Sequence, residues 1–124
     1  MEEEIDFKDG VERLEYLVGT NLDKIKKGLD LIPFPYAKKI IELRFGLLDG
    51  KEYTLFEIPK ILNEEEKEKG IAKVYLENLN KFIIKPIDEE WNAEAVRRTE
   101  AYTIHELQEL FKNIGKYKKK YALN

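Results

Sequence analysis

His105 is the only histidine in the 124-residue chain, and so the only imidazole available for acid–base or metal chemistry. It falls in the stretch Tyr102-Thr103-Ile104-His105-Glu106, at an early turn of an expected amphipathic helix, where a surface or capping role is the ordinary reading. There is no cysteine, which excludes disulfides and thiolate metal sites and leaves the redox compartment unread. Carboxylates are plentiful but come mainly in runs, and one histidine with scattered acids has no metal-ligand spacing. No glycine-rich phosphate loop and no nucleophile motif is present. The expectation is a non-enzyme with no cofactor, no metal and no small-molecule substrate. What remains for chemistry is charge. Lys67, Lys69 and Lys73, the pair Arg97 and Arg98, and the tail lysines Lys116, Lys118, Lys119 and Lys120 are candidate contacts to a polyanion. The tail interleaves its lysines with Tyr117 and Tyr121, a pattern that suits phosphate contact and base stacking, or simply a solubilising terminus.

The distribution of charge supports that division. Net charge is -3, yet residues 1–62 balance at -3, residues 63–95 at -4 and residues 96–124 at +4. A polyanion would meet the last of these. At 43% hydrophobic and 38% charged residues the chain holds enough apolar material for a core, with charge well above the usual quarter. No apolar run approaches the roughly 20 residues of a membrane span, and the acidic first six residues are unlike a signal peptide. A cytoplasmic protein with no membrane partner is expected.

The elements that would position these side chains are helical throughout. Asp9 with Glu12 predicts a capping box ahead of Val11, Leu14, Leu17 and Val18, and Gly19 interrupts. Thr20 with Asp23 predicts the cap of a further turn carrying Leu22, Ile25 and Leu29. Leu31-Ile32-Pro33-Phe34 is an extended connector, and Pro35 is placed to start a helix. Residues 38–62 are the centre of the chain: an amphipathic helix with Ile40, Ile41, Leu43 and Phe45, a reversal bracketed by Gly46 and Gly50, then Thr54 and Glu57 as a second capping box. Two helices across a short glycine turn predict a helix-turn-helix scaffold. Pro59, one turn past Thr54, should kink or shorten the helix that follows. Residues 88–92 are expected to open a late helix, with Trp91 either a core anchor or an interface residue. Tyr102 to Phe111 echoes Tyr53 to Leu62, and Asn113-Ile114-Gly115 predicts a helix stop before the tail.

The stretch IIELRFGLLDGKEYTLFEIPKIL resembles the opening of the fourth conserved region of housekeeping-type bacterial sigma factors. Arg44-Phe45-Gly46, Asp49, Tyr53, and Thr54-Leu55 with Glu57 and Ile58 carry the resemblance, without a gap from about residue 34 to 62. It implies a sigma-like helix-turn-helix core over 34–86; with the helical segments 1–33 and 87–124, which lie outside the resemblance, the expected fold is an all-α, short helical bundle. It also implies docking on the flap of bacterial RNA polymerase through Ile41, Arg44, Phe45, Leu55 and Phe56, and promoter DNA as a second partner. The family's reading helix would fall on residues 63–82, where Ile71, Val74, Leu79 and Phe82 keep the apolar skeleton but arginines are absent. Glu64, Glu65, Glu66 and Glu68 stand there instead, in an expected insertion and helix entrance, and would repel a phosphate backbone. The sigma regions that bind core enzyme most tightly and open the promoter are not visible. The expected function is a sigma-like transcription protein that docks on polymerase with weakened or relocated DNA contact. The alternatives are a sequence-specific DNA-binding factor using the tail, and an all-α adaptor unrelated to transcription.

Overall fold

The computed structural model describes residues 6–69 and 90–121, and the side chains of all of these except 35, 68–69 and 113–121. Within them the chain is all-α: α1 (Gly10–Val18), α2 (Leu22–Leu31), α3 (Pro35–Arg44), α4 (Ile58–Lys69) and α5 (Ala93–Tyr121). At 1.5 Å per residue the 29 residues of α5 extend about 43 Å. Each of the other four helices packs against it.

Local signals place most boundaries. Asp9 accepts from the Glu12 N–H at 2.9 Å and caps α1, which ends at Gly19 in the left-handed conformation, φ 88°. The cap of α2 is Asn21, accepting from the Lys24 N–H at 3.1 Å, rather than the expected Thr20. An asparagine amide caps as well as a hydroxyl, and it stands one residue closer to the first helical turn. The chain is extended at Ile32 and Phe34, and Pro35 opens α3. Asn92 caps α5, its Oδ1 accepting from the Ala95 N–H at 2.8 Å.

Two apolar clusters fill the interior, and α3 stands between them. Ile40 and Leu43 of α3 join Phe34, Ile58, Leu62, Trp91, Val96 and Tyr102 in one. Ile41 and Phe45 join Leu14, Val18, Ile25, Leu29 and Leu107 in the other. Stretches 1–33, 34–86 and 87–124 therefore contribute side chains to shared cores. Trp91 is a core residue, 3% exposed, and its ring stands 4.7 Å from that of Tyr36.

Three expectations about helix ends are corrected. First, α4 runs unbroken from Ile58 through Glu64–Lys67 to Lys69, the limit of the described residues there, so the acidic run lies inside a helix begun two turns earlier, not in an inserted loop and helix entrance. Second, α5 continues through Asn113-Ile114-Gly115; a glycine inside a helix costs only about 1 kcal/mol, which does not stop a long helix. Third, Thr103 and His105 are mid-helix. The Thr103 hydroxyl donates to the Thr99 carbonyl at 2.7 Å, and that of Thr99 to Ala95 at 2.9 Å, so both buried hydroxyls bond back along the helix and neither caps one.

The start of α1 is packed tightly on the connection after α3. A Cβ added at Gly10 would meet the Phe45 carbonyl oxygen at 2.7 Å and Glu52 Oε1 at 2.8 Å, and the former is backbone that cannot swing aside. Gly10→Ala is expected to lower stability by about 2 kcal/mol, against the usual helix preference for alanine. Urea unfolding followed by Trp91 emission measures it.

Candidate docking turn

Residues 45–57, the connection between α3 and α4, hold the candidate site, and each end of it is built by a different device. At its start Phe45 N–H donates to Ile41 O, and Leu47 N–H to Glu42 O, so the helix carbonyls of α3 are used up in sequence. Gly46 (φ 72°) and Gly50 (φ 80°) take the left-handed conformations that turn the chain back. Tyr53 then returns to the end of α3: its N–H donates to Leu43 O at 2.9 Å, and its carbonyl faces Arg44 Nη1 at 3.5 Å. At its far end Thr54 Oγ1 accepts from the Glu57 N–H at 3.1 Å while Glu57 Oε1 accepts from the Thr54 N–H at 3.0 Å, the reciprocal box read from the sequence. Residues 55–57 form a turn and α4 proper starts at Ile58, so Pro59 sits in its first turn, where a missing N–H is harmless.

The connection spans 13 residues, against the three or four of a helix-turn-helix turn. What it presents is an apolar side chain. Phe56 is 76% exposed at the apex of the capping turn, while Leu55 beside it is half-buried against the core. Lys51 stands 4.5 Å from the Tyr53 ring centroid and pairs with Glu57 at 3.4 Å; Tyr53 OH donates to Asp49 Oδ2 at 3.1 Å. The Thr54 N–H, then the Lys51 ammonium, hold the Glu57 carboxyl below its ordinary range. The Lys51 N–H does the same for Asp49.

The polymerase-contact candidates separate on this geometry. Ile41 (0% exposed) and Phe45 (1%) are core residues, and Arg13 lies over the Phe45 ring at 4.5 Å, so neither offers a partner any surface. Their apolar character served the interior of a helix buried on two sides. Arg44 turns inward to Glu100 of α5, Nε to Oε1 3.5 Å. Phe56 alone of the five is well exposed.

The three cation candidates whose side chains are described are each paired with a carboxylate of the same chain. Arg97 Nε donates to Glu94 Oε2 at 2.9 Å and Arg98 Nε to Glu94 Oε1 at 3.1 Å. Lys67 lies 3.8 Å from Glu64. The side chain of Lys69 and those of Lys116, Lys118, Lys119 and Lys120 lie outside the described residues, although α5 carries the tail's backbone as helix to Tyr121. Lys73, with the rest of the expected reading helix, falls in residues 70–89, also outside them.

The acidic run divides in a way that its spelling does not show. Glu65 pairs with Lys39 of α3 at 3.2 Å. Glu66 Oε1 accepts from Tyr36 OH at 2.8 Å and from Trp91 Nε1 at 3.3 Å. Burial, then Glu66, raises the Tyr36 hydroxyl above the ordinary tyrosine range. One turn earlier Asn63 grips the Trp91 backbone, Nδ2 to its carbonyl at 3.1 Å and Oδ1 from its N–H at 2.8 Å. Sequence reading placed Glu66 only in a phosphate-repelling run and did not mark Asn63, which stands three residues before it on the same face; their partners are 25 to 30 residues away, so no local spacing announces the ties.

Among the described residues no group of three or more His, Asp and Glu is placed to hold a metal ion. None of the described helices is long and apolar enough to cross a membrane. Neither a family model, nor a curated protein, nor a solved structure matches the chain.

Two outcomes check this geometry. Thr54→Ala is expected to cost about 1 kcal/mol in denaturant unfolding, the usual value of an N-cap. Glu94 should titrate far below an ordinary glutamate, since hydrogen bonds and charge from Arg97, then Arg98, lower it to about 2. Its folded value is depressed, so the pairing is complete above the ordinary glutamate range and is lost as pH falls through about 2. Carbonyl-detected NMR titration reads it directly, and a Glu94 midpoint near 4.5 would contradict the pairing.

Proposed function

We propose that the chain is a sigma-like protein-docking module that acts in transcription by contacting bacterial RNA polymerase through the Phe56 turn, and not by reading promoter DNA with its described cations. The observation that carries the reading is Phe56: a large aromatic side chain, 76% exposed, on a turn held by a two-way capping box. Aromatic side chains on rigid supports lose little entropy on binding and dominate interface energetics. The resemblance of residues 34–62 to sigma region four makes polymerase the partner, with Leu55 beside Phe56 and with Ile41 and Phe45 reassigned to the core. Arg97, Arg98 and Lys67 are engaged with Glu94 and Glu64, so releasing them to phosphates means breaking those pairs.

Immobilised chain should capture purified bacterial RNA polymerase, and Phe56→Ala should weaken capture about tenfold or more, as for a central aromatic anchor. Equal capture by both would remove Phe56 from the interface, and none by the wild-type chain would remove polymerase as the partner. Fluorescence anisotropy with a promoter-length duplex tests the other arm. No binding at about 50 mM salt is expected. Tight binding that falls roughly a thousandfold by about 200 mM would establish a DNA reader instead.

A further inference from the structure

The Phe56 turn has two supports, and only the capping box is local. The other is the clasp at Tyr53, whose peptide groups on both sides of its Cα face the last residues of α3: N–H to Leu43 O at 2.9 Å, C=O to Arg44 Nη1 at 3.5 Å. Thr54, the first residue of the box, follows immediately. Where the box points therefore depends on where Tyr53 is held, and its two holds are the Leu43 carbonyl and the Arg44 guanidinium.

The contact of Arg44 with Tyr53 is long, and the charge that Arg44 meets comes from another helix. Its side chain is 26% exposed, and its Nε is buried without a hydrogen bond. The carboxylate beside it is Glu100 of α5, Oε1 3.5 Å from that Nε and itself only 13% exposed. At this separation and burial the pair acts as charge compensation more than as a directed bond. Without Glu100 the guanidinium would be a partly buried cation that has lost the carboxylate paired with it, and its relief is to swing to solvent, leaving the Tyr53 carbonyl.

We infer that Glu100 is a positioning residue for the docking turn: it fixes Arg44, and Arg44 with Leu43 clasps Tyr53 at the root of the turn that presents Phe56. Its place in docking rests on the function proposed above, whereas the clasp is a property of the free chain and is tested there. The link joins α5, the helix shared by every other element, to the one well-exposed candidate on the connection.

Amide hydrogen exchange on the free, full chain reads it. Glu100→Gln keeps the shape and removes the charge, and should speed exchange of the Tyr53 amide about five- to tenfold, the effect of losing one modest interaction. Amides of Gly19 and Ile25, bonded to Glu15 and Asn21 at the end of α1 and the start of α2 and not part of the clasp, should be unmoved, which a general loss of stability would not allow. Arg44→Gln should match Glu100→Gln, and the double variant should go no further than either, because both act through one interaction. Unchanged Tyr53 exchange in Glu100→Gln, or additive effects in the double variant, would overturn the assignment. If Glu100→Gln does not fold, Glu100→Asp, which keeps the charge and widens the gap, is read at the same amide with the same two outcomes. Polymerase capture by Glu100→Gln should fall with the exchange change; absence of wild-type capture would remove the docking role while the exchange result still decides the clasp.

Discussion

A helix about 43 Å long can be stable in water only if one stripe along it is covered, and that requirement organises this chain. Four shorter helices meet it by packing on α5. None of them has an apolar face large enough to stand alone. α3 meets the demand from two directions, giving Ile40 and Leu43 to one cluster and Ile41 and Phe45 to the other, so it has no amphipathic face left to offer a partner. This double burial is why a helix expected to carry docking residues contributes core instead.

Polar groups set the register of the apolar layers. Buried or half-buried polar groups are costly unless matched, and matched ones are directional where apolar packing is not. Asn63 and Glu66 tie α4 to Trp91 and Tyr36, and Glu100 with Arg44 ties α5 to the root of the connection. Thr99 and Thr103 satisfy themselves within α5 and leave its inner face effectively apolar. The acidic run of α4 that sequence reading set against a phosphate backbone is in part such a tie, with Glu65 and Glu66 turned toward α3 and the tryptophan.

These arrangements bear on function through what is left over. Carboxylates of the same chain occupy Arg97, Arg98 and Lys67, and packing occupies Ile41 and Phe45. Of the expected polymerase-contact residues, Phe56 is the one left well exposed, on a turn braced by its reciprocal capping box. The 13-residue connection differs from a helix-turn-helix turn in that it returns Tyr53 to the Leu43 carbonyl at the end of α3 before the next helix starts.

Features decided within four or five residues were determined by the sequence itself. The all-helical class, the caps at Asp9 and Thr54, the left-handed glycines at 19, 46 and 50, and the start of α3 at Pro35 each follow from a side chain and the backbone beside it. Whether such a signal is used was decided elsewhere. Thr103 and Glu106 spell the same box as Thr54 and Glu57, yet Thr103 is buried in mid-helix, because α5 gains more by staying continuous against four neighbours than by breaking to cap. Gly115 carries the same lesson: its local preference to end a helix is worth about 1 kcal/mol, less than a propagating helix can absorb. Burial and pairing belong to the tertiary structure alone. No spacing distinguishes Phe45 at 1% exposure from Phe56 at 76%, or joins Arg44 to Glu100 across 56 positions, since both depend on which helix arrives to cover them.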